Sequence, residues 1–396
     1  MLDRRQFVAG STQLAMLAGF PGLTLAQEAA DARFVLVILR GGLDGLAAVV
    51  PYGESRYRGV RGSLAVDSPG QTNGLLKLDG LFGLHPSLSK MHEFYQAGDL
   101  AVIHAVATPY RERSHFDGQN VLENGSDTPF GLRDGWLNRA VGSGAGTYGA
   151  IALSQNIPLV LRGDTSVTSW APSRLAEADD DTLARIGELY AHDPHLAGRL
   201  QEALEARAIA GEMGGRRNAR GGGAQGQLGP VIRAAGRFLS APDGPRIAVL
   251  DTGGWDTHAN QGAGQGILAN RLGGLDAGLA ALKQELGVYW QNTVVVVATE
   301  FGRTVAVNGT RGTDHGTGGC AFIAGGAVRG GRVIADWPGL ADRDLYEGRD
   351  LKPTTDLRAV FKGILIEHLG AEIAQLNRDV FPDSAHIAPL EGLIDV

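Results

Sequence analysis

Apolar residues along this chain cluster in short unbroken runs rich in β-branched side chains. Residues 34–39 read Phe-Val-Leu-Val-Ile-Leu without a polar interruption, the signature of a central parallel strand buried on both faces. Residues 100–106, 246–250 and 293–298 read the same way, and 321–324 and 332–334 as shorter strands. Between them, apolar residues recur at helical spacing over 88–96, 115–124, 181–209, 228–239 and 267–286. A late helix is predicted over 354–369, behind Pro353, with Thr354, Thr355 and Asp356 as capping candidates. Strands alternating with helices predict an α/β fold whose mostly parallel sheet is covered on both faces. Residues 211–229, rich in Gly and Arg, read as a flexible loop inside a single domain over 31–396.

The polar positions are grouped as well. Arg40-Gly41-Gly42-Leu43-Asp44-Gly45 follows the first strand and Asp251-Thr252-Gly253-Gly254-Trp255-Asp256-Thr257-His258 a later one. Thr299-Glu300-Phe301-Gly302-Arg303 ends a third, and Gly312-Thr313-Asp314-His315-Gly316-Thr317-Gly318-Gly319 comes soon after it. Open α/β sheets build their sites outside the carboxyl ends of the strands, so these distant groups are expected to converge on one edge. Glycine-rich loops let side chains and backbone close on an ion without steric penalty.

Asp256 and His258, two residues apart, point to one side of an extended segment and could share one metal. Asp314 and His315 are adjacent and would diverge unless the Gly-rich turn rotates them, so they could serve neighbouring ions. Asp44, Asp256, His258, Glu300, Asp314 and His315 are therefore the candidate ligands. Mixed oxygen and imidazole donors suit a divalent ion such as zinc, manganese or iron. Arg113-Ser114-His115-Phe116-Asp117 lies at a loop-to-helix junction, where Ser114 is a candidate nucleophile and Arg113 or Arg303 a charge clamp. Ser114 reads equally as a helix cap with Asp117 three residues on. His115 and Asp117 stay open as ligands. A capping or core role for each residue taken singly is the competing explanation throughout.

Composition narrows the function. With 36 Lys and Arg against 43 Asp and Glu, the net charge of −7 leaves no basic footprint for nucleic acid. Glycine accounts for 59 of 396 residues, roughly twice average usage, while the 16 prolines argue against a disordered tract. The one cysteine, Cys320, excludes an internal disulfide and reads as a core thiol. At the start, Asp3-Arg4-Arg5-Gln6-Phe7-Val8 precedes a moderately apolar run that ends near Ala26. Residues 1–30 thus resemble a twin-arginine signal, which predicts periplasmic or secreted localisation of an already folded chain. No other stretch is apolar enough for a membrane span. Gly144-Ala145-Gly146-Thr147-Tyr148-Gly149 matches a dinucleotide fingerprint but precedes a strand instead of opening a helix. His85, His92, His104 and His368 carry no partner pattern and are assigned structural roles.

Taken together, residues 39–45, 113–117, 299–304 and 312–319 resemble the DUF1501 family, over about residues 33–382. Members of that family are commonly exported by the twin-arginine route, and the family is related at fold level to the alkaline phosphatase and sulfatase superfamily. The resemblance implies a three-layer α/β/α sandwich, alkaline phosphatase-like, with Asp44 as a first-strand metal aspartate. It also implies Asp256 with His258 as a metal pair, His315 as a late metal histidine, and Ser114 near the nucleophile's position. Two departures stand out. Glu300-Phe301 replaces an Asp-His pair, and neither Cys320 nor Ser114 begins the Pro-x-Arg context required for a formylglycine sulfatase. The expectation is an exported metal-dependent hydrolase of phosphate-like or related anionic esters. Its rivals are a non-catalytic exported protein that keeps the fold and binds a ligand or an exported protein partner at that site, and a chain whose metal is purely structural.

Overall fold

The computed structural model describes residues 31–143, 149–172, 180–190, 192–210 and 225–395. The predicted signal segment, the start of the fingerprint-like 144–149 stretch and residues 211–224 of the predicted loop lie outside them. Twelve strands follow in chain order: β1 (Arg33–Arg40), β2 (Val49–Val50), β3 (Leu76–Lys77), β4 (Gly83–Leu84), β5 (Leu100–Ala107), β6 (Ala150–Ala152), β7 (Thr168–Ser169), β8 (Ile247–Gly253), β9 (Thr293–Thr299), β10 (Gly319–Ala324), β11 (Arg332–Ile334) and β12 (Thr355–Asp356). The main sheet runs β11-β5-β10-β9-β1-β8-β6-β7, with β12 also on β5, and β2-β4-β3 form a small separate sheet. Within the main sheet every pairing is parallel except those of β10, which is antiparallel to both β5 and β9.

Alternation along β1 explains the layers. Val35, Val37 and Leu39 enter one core with residues of the helices Ser89–Ala97, Gln225–Ser240 and Ile267–Leu286. Phe34, Leu36 and Ile38 enter the other, with the helices Trp136–Gly142 and Leu357–Glu367. Each of these β1 side chains is essentially inaccessible to water, so each contributes on the order of 2 kcal/mol of apolar burial. The result is a three-layer α/β/α sandwich.

Register fixes where the loops leave. Leu39 lies opposite Thr252 on one side and Thr299 on the other. The segments after β1, β8 and β9 therefore leave the sheet at one level, and the antiparallel β10 begins at that same edge.

Three elements differ from the sequence expectation. The helix expected over 181–209 is two, Asp180–Tyr190 and Pro194–Ala210. Asp193 caps the second by accepting the backbone N–H groups of His195 (3.0 Å) and Leu196 (3.1 Å), with Pro194 at its first position. Residues 225–229 of the expected loop form the first turn of Gln225–Ser240. The late helix starts at Leu357, after a short strand, where Asp356 accepts the Arg358 N–H at 2.8 Å.

Candidate metal centre

Four chain segments meet above the ends of β1, β8, β9 and β5. Two glycines make the approach feasible. Gly41 sits at φ +122°, and a Cβ there would lie 2.6 Å from the backbone nitrogen of Asp256. At Gly302 a Cβ would fall 1.9 Å from the carbonyl oxygen of Gly318, so the β9 loop and the 312–319 segment touch backbone to backbone.

Three imidazoles surround Asp256. His258 Nε2 lies 3.0 Å and His315 Nε2 3.3 Å from Asp256 Oδ1, and His115 Nε2 lies 3.5 Å from Oδ2. The Nε2 atoms of His258 and His315 are 2.9 Å apart. One donor atom each from His115, Asp256 and His315 lie within 4.8 Å of one another.

Each ring is held from behind at Nδ1. His115 Nδ1 lies 2.8 Å from Glu300 Oε1, His258 Nδ1 lies 3.1 Å from Asp314 Oδ1, and His315 Nδ1 lies 2.8 Å from the Arg113 carbonyl. All three partners are acceptors, so the neutral rings carry their proton on Nδ1 and turn the Nε2 lone pair toward Asp256. Two facing lone pairs 2.9 Å apart beside a carboxylate need a cation or a proton between them. His115 Nε2 is buried and makes no hydrogen bond. Imidazoles oriented by a second acceptor are the usual construction of a metal site, and donors bound at about 2.0–2.1 Å to one ion sit about 3.3 Å apart. The donor set fits a divalent ion.

Electrostatics follow the same plan. Burial alone would raise the Asp256 carboxyl, but the hydrogen bond and charge of Arg303 Nη1 at 2.6 Å carry it below the usual range. Glu300 is fully buried; that also pushes upward, and bonds from His115, Gln119 and Thr299 override it. The Glu300 contact holds His115 above its ordinary value, whereas burial and the neighbouring cations lower His315. Asp314 is lowered first by the Asn308 amide at 2.9 Å and then by His258.

The structure brings Asp256, His258 and His315 together, and places Glu300 and Asp314 one bond behind the histidines. Asp44 is elsewhere. Its Oδ2 takes the buried Arg61 guanidinium and the Gln261 amide (2.6 Å), while Oδ1 has no partner. Gln261 Oε1 in turn accepts Thr257 and Thr313 hydroxyls at 2.8 and 2.9 Å. Asp44 thus braces the two histidine loops from below, with a guanidinium where the sequence suggested an ion.

The two arginines are likewise engaged inward. Arg303 is 1% exposed and bonds Asp256, Gly41 O and Thr313. Arg113 donates to Asp350 at 2.8 Å and to Glu347. Neither is presented as an open anion clamp. Ser114 occupies the cap position of the helix His115–Asn124 but makes no side-chain cap bond. Its N–H donates to Tyr110 Oη at 3.2 Å, and that hydroxyl donates to Asp117. Asp117 is thus engaged by Tyr110 and is not among the donors gathered with Asp256. His115, left open in the sequence, is the residue that completes the cluster. Its signal was its place just after the end of β5, on the same sheet edge as the other groups.

A doubly covered α/β sheet with a histidine-rich cluster at the strand ends is the class that fold and site define. The chain belongs to the DUF1501 family, described as a protein of unknown function, whose match spans residues 31–373. No curated protein matches it. Solved structures that overlay on it include the zinc complex of the C-terminal periplasmic domain of EcEptC from Escherichia coli, at 9% identity over 75% of this chain and 74% of that one, TM-score 0.39. Phosphonate monoester hydrolase of Agrobacterium radiobacter aligns at 12% over 85% and 74%, TM-score 0.40. The PsFucS1 sulfatase from Pseudoalteromonas sp. aligns at 13% over 100% and 77%, TM-score 0.42. Overlays this loose transfer no residue's role.

Proposed function

We propose that this protein is a metal-dependent hydrolase of phosphate-like or related anionic esters, working with one divalent ion, zinc or manganese. The observation that carries the reading is the set of three imidazoles fixed at Nδ1 with their Nε2 atoms gathered on Asp256. His115, Asp256 and His315 would hold the ion, with His258 beside them. Bound there, it would polarise an ester oxygen and make a water acidic enough to attack near neutral pH.

The chain's own groups supply the rest. Glu300, Asp314 and the Arg113 carbonyl hold the rings in the metal-accepting tautomer. Arg303 keeps Asp256 ionised and turned inward. Ser114, at the start of the helix that carries His115, would be the candidate nucleophile, with water as the alternative. The ring of carboxylates around the histidines leaves the ion to supply the positive charge that an anionic ester requires.

Purified full-length protein loaded with zinc or manganese and assayed on phosphate mono- and diesters is the test. The expected result is about one ion per chain and turnover that His115→Ala and His315→Ala abolish. Bound metal without turnover on any ester would leave the binding-protein reading, and no bound metal would overturn the proposal. Export rests on the twin-arginine segment Asp3-Arg4-Arg5-Gln6-Phe7-Val8. Replacing Arg4 and Arg5 by Lys should keep the protein in the cytoplasmic fraction.

A further inference from the structure

We infer that Phe116 and Phe130 form an aromatic lip to this site and receive a planar ring carried by the ester, so that aryl esters are favoured over alkyl esters. The inference rests on the hydrolase reading and extends it to the part of the substrate that does not react.

Phe116 is 86% exposed and Phe130 69%, and no other phenylalanine among the described residues is exposed. Phe116 lies in the first turn of the helix His115–Asn124 and Phe130 in the segment that follows it. On that helix His115 and Gln119 are a turn apart and both bond Glu300 Oε1, at 2.8 and 3.1 Å, which fixes the face turned to the metal cluster. Phe116 and Asn120 are also a turn apart, on the adjoining face. Asn120 Oδ1 accepts the N–H of Phe130 at 2.6 Å and is itself held by the Asn124 amide at 2.9 Å. The Asn120 bond therefore anchors Phe130 beside the face that carries Phe116.

The backbone at Phe130 adds an independent indication. Its φ is +58°, a left-handed conformation that is strained for a bulky residue. Packing does not account for that strain, because the side chain is exposed. Strain that presents an apolar ring to water, on a segment tied to the helix that carries His115, suits a surface built to stack a ligand. Phe116 directly follows His115 in sequence. A substrate whose reacting group meets an ion held by His115 would therefore lie near this flank.

Calorimetric titration of metal-loaded full-length protein with phenyl phosphate, methyl phosphate and inorganic phosphate tests the lip. Wild type should bind phenyl phosphate about tenfold more tightly than methyl phosphate, the order expected for aromatic stacking plus ring burial. Phe116→Ala and Phe130→Ala should each erode that preference and together remove it, while inorganic phosphate binds as before. Phe116→Tyr, which keeps the ring face, should retain it. Equal affinity of wild type for the two esters, or a preference that survives the double substitution, overturns the lip alone. Failure of all three ligands to bind the wild type overturns the hydrolase reading and the lip with it.

Discussion

At the residue scale the site is decided by which ring nitrogen each histidine leaves free. Glu300 is the clearest case, because it is buried and sits behind His115 at 2.8 Å without joining the donors gathered around Asp256. Glu300→Gln keeps the shape and loses the charge that holds the ring. It should weaken metal affinity about 10–100-fold with little change in thermal unfolding of the metal-free protein; competition titration against a chelating indicator measures this. Unchanged affinity would remove the positioning role. Asp44 gives the opposite expectation. Its carboxylate neutralises Arg61, which is completely buried and also donates to the Thr304 and Val305 carbonyls. Asp44→Ala strands that guanidinium and should cost about 3–5 kcal/mol in urea unfolding, while chains that remain folded bind metal as before. A ligand would show the reverse pattern. Sequence alone could not separate these two carboxylates, since both follow a buried strand; the difference is Arg61, which reaches Asp44 from a helix 17 residues away.

Among the elements, β5 carries a local irregularity with a pH consequence. Its register against β10 slips between Gly319 and Cys320, and Ala105 takes φ +54°. His104 fits beside this bulge, with Nε2 donating to Val49 O at 2.9 Å and Nδ1 accepting the Ala105 N–H at 2.8 Å. Both nitrogens are satisfied only while the ring is neutral. Burial lowers its pKa from the ordinary 6.5 to about 4, and His368, bonded to Arg33 O, is lowered to the same level. Between those values the unfolded chain binds a proton that the folded chain refuses. Stability should therefore fall as pH drops from about 6.5 to about 4, by on the order of 3 kcal/mol for each ring, and then level off. Urea midpoints across that range check it, and replacing both histidines by Asn should flatten the slope. A slope that persists in that variant would place the acid sensitivity elsewhere. The strands themselves were legible as apolar runs, and the helices His115–Asn124 and Ile267–Leu286 fall where the spacing puts them. The bulge was not, because residues 100–106 read as uniform strand and only the pairing with β10 exposes the extra residue.

For the whole molecule, the sheet gathers candidate ligands that are far apart in the chain. His115 follows β5, Asp256 and His258 follow β8, and His315 precedes the antiparallel β10. Convergence on the strand ends was readable from the order of strands and polar groups. Which members would meet was not, since that depends on the loop paths and on the close backbone contact between Gly302 and Gly318. In this arrangement a bound metal would be a cross-link between loops on a core that is complete without it. Phe34 to Leu39 are already buried on both faces, so removing the ion should not unfold the protein. Binding to the native state alone adds RT ln(1 + [M]/Kd), about 2.7 kcal/mol at a hundredfold excess over Kd. Chelation should thus lower the melting temperature by a few degrees and leave the far-ultraviolet circular dichroism unchanged. Hydrogen exchange should rise in 254–258 and 312–318, where loop backbone such as Thr313 N–H to Thr257 O at 3.2 Å bridges the two segments. Exchange in β1 and β9 should stay as slow as in the loaded protein. If chelation melted the sheet as well, the ion would be structural and the loops would not be an independent layer. If neither loop responded, the three imidazoles would not be holding an ion at all.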